Sequence, residues 1–255
     1  RLMFRFARIQ VQWIKNSFTS WFVSKYNVNL NEAVFEDIKE YKHFNDFFTR
    51  ALKAGSRPLS NSKVVSPVDG VVSQCGNIEE SMIVQAKGKK FSVEALLAHS
   101  PKDDLYSSFA TIYLSPKDYH RIHMPFDGIL KSMKYIPGNL FSVNKRTVEN
   151  IDQVFARNER LICYFDTEYG EMALVMVGAI FVGSMETSWE GQVTPPYTKS
   201  VKTYDYDSRQ IGLSKGEELG RFNMGSTVIL ILPKGSPELN LEAGKALKMG
   251  QSISN

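Results

Sequence analysis

Residues 227–232 read Thr227-Val228-Ile229-Leu230-Ile231-Leu232, with Gly225-Ser226 before them and Lys234-Gly235 after. β-Branched side chains are stiff at χ1 and pack well on a pleated surface, so a short run of this kind between turn residues predicts a strand built into a sheet. Similar runs occur upstream at Val71-Val72, Met82-Ile83-Val84, Ala110-Thr111-Ile112-Tyr113, Leu161-Ile162-Cys163-Tyr164 and Ala173 to Val177. Turn pairs at Asp69-Gly70, Asp127-Gly128 and Pro137-Gly138 separate them. The expected class is α+β, a mostly antiparallel β-rich body behind a helical N-terminus.

That N-terminus has a different pattern. At about 100° per residue, Arg1, Arg5, Arg8, Gln12, Lys15 and Thr19 fall on one stripe of a helix. Leu2, Met3, Phe6, Ile9, Trp13, Ile14, Phe18, Trp21 and Phe22 cover most of the rest, and no acidic residue occurs before Glu32. A basic stripe beside sunken aromatics predicts a helix lying in a membrane interface, although a wide apolar face also suits packing on the protein body. Glu36 to Arg50 reads as a second helix, its aromatics Tyr41, Phe44, Phe47 and Phe48 suited to a core. Gly55 to Ser62, carrying Pro58, reads as a loop.

Composition narrows the function classes. With 255 residues, 43% of them hydrophobic, the chain can bury a full core. A net charge of +4 lacks the clustered basicity of a dedicated nucleic-acid binder. Cys75 and Cys163 are the only cysteines, too few for a disulfide framework and compatible with a reducing compartment. No stretch approaches the ~20 apolar residues of a membrane span, and recurrent N-terminal charges do not resemble a secretory signal, so export is not expected.

Three clusters carry groups capable of chemistry: Ser66-Pro67-Val68-Asp69-Gly70, Tyr119-His120-Arg121-Ile122-His123-Met124-Pro125, and Gly220-Arg221-Phe222-Asn223-Met224-Gly225-Ser226-Thr227. Asp, His and Ser are the parts of a charge-assisted nucleophile, but such triads are defined by geometry and not by chain order. Taken singly, Asp69-Gly70 is a good hairpin turn, and Gly225-Ser226 is as ordinary as Gly183-Ser184. His120 and His123 are half a metal site without a third ligand, so no metal is expected.

In their order and context the three clusters resemble the bacterial phosphatidylserine decarboxylases, and the likeness runs from about Phe44 through Lys234. It also includes Phe44-Asn45-Asp46-Phe47-Phe48-Thr49-Arg50, Leu114-Ser115-Pro116, Pro137 to Asn144, Phe155 to Arg160, and the run Lys215 to Gly220. Met224 stands where the family usually has Leu, a change that nearly conserves volume and leaves the reacting groups untouched.

The resemblance implies a pyruvoyl-dependent lyase of phospholipid synthesis, made as a zymogen that cuts itself at Gly225-Ser226. His123 would draw the Ser226 proton while Asp69 holds the ring, and Ser226 would become the pyruvoyl cofactor. That cofactor would form a Schiff base with phosphatidylserine and release phosphatidylethanolamine and carbon dioxide. His120 would serve the decarboxylation step, and Ser142 would contact substrate. The implied organisation is a membrane-associating region at 1–55 and a decarboxylase domain at 56–255, cut into a long chain, 1–225, and a short chain, 226–255. The short chain would stay bound, in a homodimer of processed protomers peripheral to the cytoplasmic face of the bacterial inner membrane. Two rivals predict different products: a self-cleaving serine hydrolase would keep a free Ser226 hydroxyl, and a non-enzymatic membrane-docking β-rich module would not be cut.

Overall fold

All six predicted β runs lie in strands of the computed structural model, which describes residues 2–101, 105–180, 184–223 and 227–255. The strands are β1 (Gly70–Asn77), β2 (Met82–Ala86), β3 (Lys89–Ser92), β4 (Tyr106–Tyr113), β5 (Arg121–His123), β6 (Gly128–Ile136), β7 (Arg160–Thr167) and β8 (Gly170–Val177). They continue as β9 (Met185–Thr187), β10 (Gly191–Gln192), β11 (Lys202–Asp205), β12 (Gly212–Leu213), β13 (Glu218–Phe222), β14 (Thr227–Pro233) and β15 (Ala246–Leu247). Among the described residues the main sheet runs β11-β6-β7-β8-β14-β4-β1-β15, with β12 also on β6, and its pairings are antiparallel.

The run from which the fold was read is a central strand. β14 pairs with β4 on one side and β8 on the other, and every one of its residues is buried. Thr227, at its start, lies opposite both Tyr113 and Val177. One strand further out, Val71 also faces Tyr113, so Thr227, Tyr113 and Val71 share one end of the sheet. Gly70 opens β1 there, and the Asp69-Gly70 pair is no exposed hairpin turn. A Cβ on Gly70 would come within 2.5 Å of the Tyr113 carbonyl oxygen, so only glycine allows that approach.

A second sheet, β10-β9-β13-β5, folds over this end. It lays the histidine motif of β5 along β13, the strand that leads into Gly225-Ser226. Gly220 makes that sheet possible, because a Cβ there would stand 2.3 Å from the Glu186 carbonyl oxygen.

The N-terminal region departs from the sequence reading in three ways. The expected first helix is two, α1 (Leu2–Phe6) and α2 (Gln12–Tyr26), and α2 stops where Asn27 takes a left-handed conformation. The expected second helix is a single 3-10 turn at Ile38–Glu40 followed by α3 (Phe44–Phe48). Asp37 and His43 each cap a new start, accepting from the Lys39 and Asp46 amides. Lys15 does not belong to a lipid-facing stripe. Only 2% exposed, it turns inward, and its Nζ donates to the carbonyls of Ile38 at 2.9 Å, Lys39 at 3.4 Å and Tyr41 at 2.9 Å. Thr19 is buried beside it, donating to the Lys15 carbonyl.

The buried face of α2 packs through Phe22 against Phe44, Phe47 and Phe48, with ring centroids 5.0–6.1 Å apart, in a small core of its own. As expected, the aromatics of the second segment are core. Burying each such ring stabilises by roughly 1.5–3 kcal/mol. The opposite face leaves Trp13 73% and Trp21 49% exposed. No helix among the described residues is long and apolar enough to cross a membrane.

Candidate active site

Asp69 sits at the mouth of β1, 1% exposed, because Gly70 lets the chain dive under β4. Its Oδ1 accepts from Arg57 Nε at 2.8 Å and from the Met249 amide at 2.8 Å. Its Oδ2 accepts from Arg57 Nη2 at 2.6 Å and Lys248 Nζ at 3.1 Å. Burial by itself would raise this carboxyl, but the donors from Arg57 and Met249, with the Arg57 and Lys248 charges, outweigh it and hold Asp69 below the usual carboxylate range. Arg57 is shared with Glu32, whose Oε2 lies 2.6 Å from Nη2. Asp69, Arg57, Glu32 and Lys248 line a cavity of about 210 Å³ together with Tyr119 and Arg50.

His123 stands nearby, its amide donating to the Pro67 carbonyl at 2.8 Å. Its Nδ1–H donates to the Gly216 carbonyl at 2.8 Å, and its Nε2 accepts from the Tyr119 hydroxyl at 3.0 Å. A carbonyl can only accept, so this pair of partners selects the tautomer with the lone pair on Nε2. Burial lowers the ring's pKa and favours the neutral form. Asp69 and His123 share no hydrogen bond, and the Asp69 charge is the smallest of the influences on the ring, raising its pKa against the burial that lowers it.

His120, three residues earlier, is wholly buried under Phe48, ring centroids 4.1 Å apart. Its Nδ1–H donates to the Asp118 carbonyl at 2.8 Å, while Nε2 has no partner among the described residues. Burial pushes its pKa down to about 3, so it is a neutral ring with a free lone pair. The Phe222 amide donates to the His120 carbonyl at 3.1 Å, which ties the histidine to the end of β13.

Gly225 and Ser226 lie outside the described residues, but both flanks are placed. Asn223 bonds through its backbone to the Ser184 carbonyl and through its side chain to Ser184 Oγ, at 3.0 and 2.7 Å. On the other side Thr227 enters β14, its Oγ1 buried and unpartnered among the described residues. Thr227 adjoins the cleavage segment with its buried Oγ1 unpartnered among the described residues, and His120, whose Nε2 is likewise unpartnered, is tied by its carbonyl to Phe222; two such orphaned polar atoms are groups suited to a polar carbonyl built at position 226. Ser142 is half-buried in a loop whose neighbour Phe141 is pinned by Asn158, which also donates to the Gly178 carbonyl at 2.9 Å. Because Val177 faces Thr227, that loop is anchored at the same end of the sheet.

Several residues of the site were not singled out from sequence. Tyr119 lay within a quoted motif but had no assigned task. Asn158 and Gly216 likewise lay within quoted runs without an assigned task, whereas Arg57 and Lys248 carry no periodic or motif signal and reach Asp69 across 12 and 179 positions.

Comparison with known proteins gives the family. The family model described as phosphatidylserine decarboxylase matches residues 44–255, and a second, described as PSD, matches residues 1–27. A phosphatidylserine decarboxylase proenzyme from Pseudomonas putida is 52% identical over 97% of this chain and 89% of its own length. Those from Pseudomonas entomophila and Pseudomonas fluorescens are each 50% identical over 97% of this chain and cover 89% and 90% of their own lengths. On the matched span and these identities, the chain belongs to the phosphatidylserine decarboxylase family.

Proposed function

We propose that this chain cuts itself between Gly225 and Ser226 and then decarboxylates phosphatidylserine to phosphatidylethanolamine. The observation that carries the reading is a pair of buried, neutral histidines aligned with the strand that enters the cleavage segment, one of them with an unused ring nitrogen.

In self-cleavage His123 Nε2 takes the Ser226 hydroxyl proton, and Asp69 offsets the positive charge that grows on the ring. Ser226 Oγ bonds to the Gly225 carbonyl carbon, the Gly225–Ser226 C–N bond breaks, and His123 returns its proton to the freed amine. Loss of the Ser226 α-proton then breaks the Cβ–O bond of the resulting ester. Gly225 leaves as a carboxylate, and the enamine left at 226 takes up water and releases ammonia to become a pyruvoyl group. The Gly216 carbonyl keeps the base in the correct tautomer, and the Tyr119 hydroxyl turns off Nε2 to let it take the serine proton. The short chain, 226–255, remains in the sheet through β14, paired on both edges.

When present, the pyruvoyl group supplies a carbonyl electron sink for the pair left behind by carbon dioxide. Thr227 and His120 hold the residue 226 end, and the free Nε2 of His120 carries a proton to or from the reacting carbon. Ser142 contacts substrate from its Asn158-anchored loop. The exposed Trp13 and Trp21, with Arg5 and with Lys25 lying 4.7 Å over the Trp21 ring, seat the helical region on an anionic bilayer. The protein then works as a peripheral membrane enzyme at the cytoplasmic face of the bacterial inner membrane, as a homodimer of processed protomers.

Intact-mass measurement tests this directly. The parent should give two pieces, 1–225 and a 226–255 chain with a blocked start, and Ser226→Ala should give one uncut, inactive chain. A split in Ser226→Ala at this bond would refute serine attack, and a free Ser226 amine in the parent's short piece would favour the hydrolase alternative.

A further inference from the structure

The helical N-terminal layer reaches the cleavage segment through one buried side chain. Asn45, in α3, donates from Nδ2 to Asn223 Oδ1 at 2.9 Å. Asn223 Nδ2 in turn donates to Ser184 Oγ at 2.7 Å, and its amide to the Ser184 carbonyl at 3.0 Å. All three residues are buried, so water does not compete for these bonds. Asn45 is itself held from two directions. Its amide donates to the Ala7 carbonyl at 2.8 Å, between α1 and α2, and its carbonyl accepts from Thr49 Oγ1 at 3.0 Å. A continuous hydrogen-bonded chain therefore runs from Ala7 through Asn45 to Asn223, the last described residue before the cleavage segment.

From this chain we infer that Asn45 is a positioning residue for self-cleavage, acting through Asn223. The inference rests on the self-cleavage reading above. An acyl shift needs Ser226 Oγ at about 3–3.5 Å from the Gly225 carbonyl carbon, and a misplacement of about 1 Å costs ~100-fold in rate. Thr227, after the segment, is fixed by two strands, and Asn223 is the described residue before it. There Asn223 has its backbone bond to Ser184 and the side-chain clamp between Asn45 and Ser184. Removing the Asn45 amide leaves the fold of β13 and β14 intact but frees half of that clamp.

The test is a cleavage time course on the full chain, following the appearance of the 226–255 piece by intact mass in samples whose thermal unfolding shows them folded. Asn45→Ala and Asn223→Ala should each slow cleavage by about 10- to 100-fold. The double variant should be no slower than the slower single, because both remove the same link. Lys15→Gln, which loosens the helical layer at Ile38, Lys39 and Tyr41 without touching Asn45 or Asn223, should lower the unfolding temperature yet cleave at the parent rate. Should Asn45→Ala not fold, Asn45→Ser, too short to reach Asn223, carries the same test. Parent-rate cleavage in folded Asn45 variants, multiplied slowing in the double variant, or equal slowing in Lys15→Gln would each overturn the inference. Splitting of Ser226→Ala, measured alongside, would instead sink the self-cleavage reading beneath it.

Discussion

Replacing Asp69 by alanine separates its electrostatic task from its structural one. The carboxylate is 1% exposed and takes two hydrogen bonds from Arg57, whose side chain is itself only 7% exposed. Removing one partner of a buried ion pair costs about 3–5 kcal/mol, since the other charge stays behind. Glu32 remains 2.6 Å from Arg57 and shelters part of that loss, which points to the low end, about 3 kcal/mol. The Met249 amide also loses its acceptor. For a chain of 255 residues, 1 kcal/mol corresponds to about 2 °C, so the unfolding temperature should fall by about 6 °C. Asp69→Asn, which keeps one acceptor for Met249, should lose less.

The measurement belongs in a Ser226→Ala background, where chain cutting does not complicate two-state unfolding. Asp69 is held below its unfolded pKa, so its contribution is present above about pH 4 and lost as the pH falls below that value. The gap between parent and variant should therefore close in acid. An Asp69→Ala protein within 0.5 °C of its background at pH 7 would show that the Arg57-Asp69-Met249 tie contributes nothing, and the electrostatic reasoning would fail with it.

The two histidines should part company: His123→Ala should block cleavage, whereas His120→Ala should mature and decarboxylate poorly, and equal processing defects would remove the basis for separate roles. Both rings are held neutral by burial, so the unfolded chain binds more protons than the native one below about pH 6.5. Stability to urea should thus fall from pH 7 to pH 5, by up to about 1.4 kcal/mol per pH unit for each ring, and His120→Gln should flatten the fall. A pH-independent midpoint would contradict the burial argument. At the membrane, neutralising Arg5 and Lys25 should weaken binding to anionic vesicles about fivefold per charge, at roughly 1 kcal/mol each, and Trp13→Ala should weaken it further. Lys15→Gln should leave vesicle binding unchanged and lower stability, and a sedimentation assay in which Lys15 counts as much as Arg5 would refute the inward placement.

Local chemistry was enough for much of this protein. Each β-branched run became a strand because side-chain stiffness acts over a few residues, and β14 could be recognised without knowing its neighbours. The cleavage motif and the two histidines were likewise legible, since each cluster is contiguous in the chain. Helix faces were less secure. Lys15 fits a basic stripe by angle alone, yet three carbonyls from Ile38, Lys39 and Tyr41 form a better site for its ammonium than solvent-facing helix does. The partners of Asp69 and His123 were beyond reach for the same reason. Arg57, Lys248, Met249 and the Gly216 carbonyl meet these groups only after the sheets have closed, and a hydrogen bond between distant residues leaves no spacing to read. Sequence by itself determined which segments form strands and which groups are able to react. Tertiary structure alone decided which nitrogen of His123 carries the lone pair, which cations neutralise Asp69, and which face of α2 meets the protein, because each is a competition among partners that only packing brings within hydrogen-bond reach.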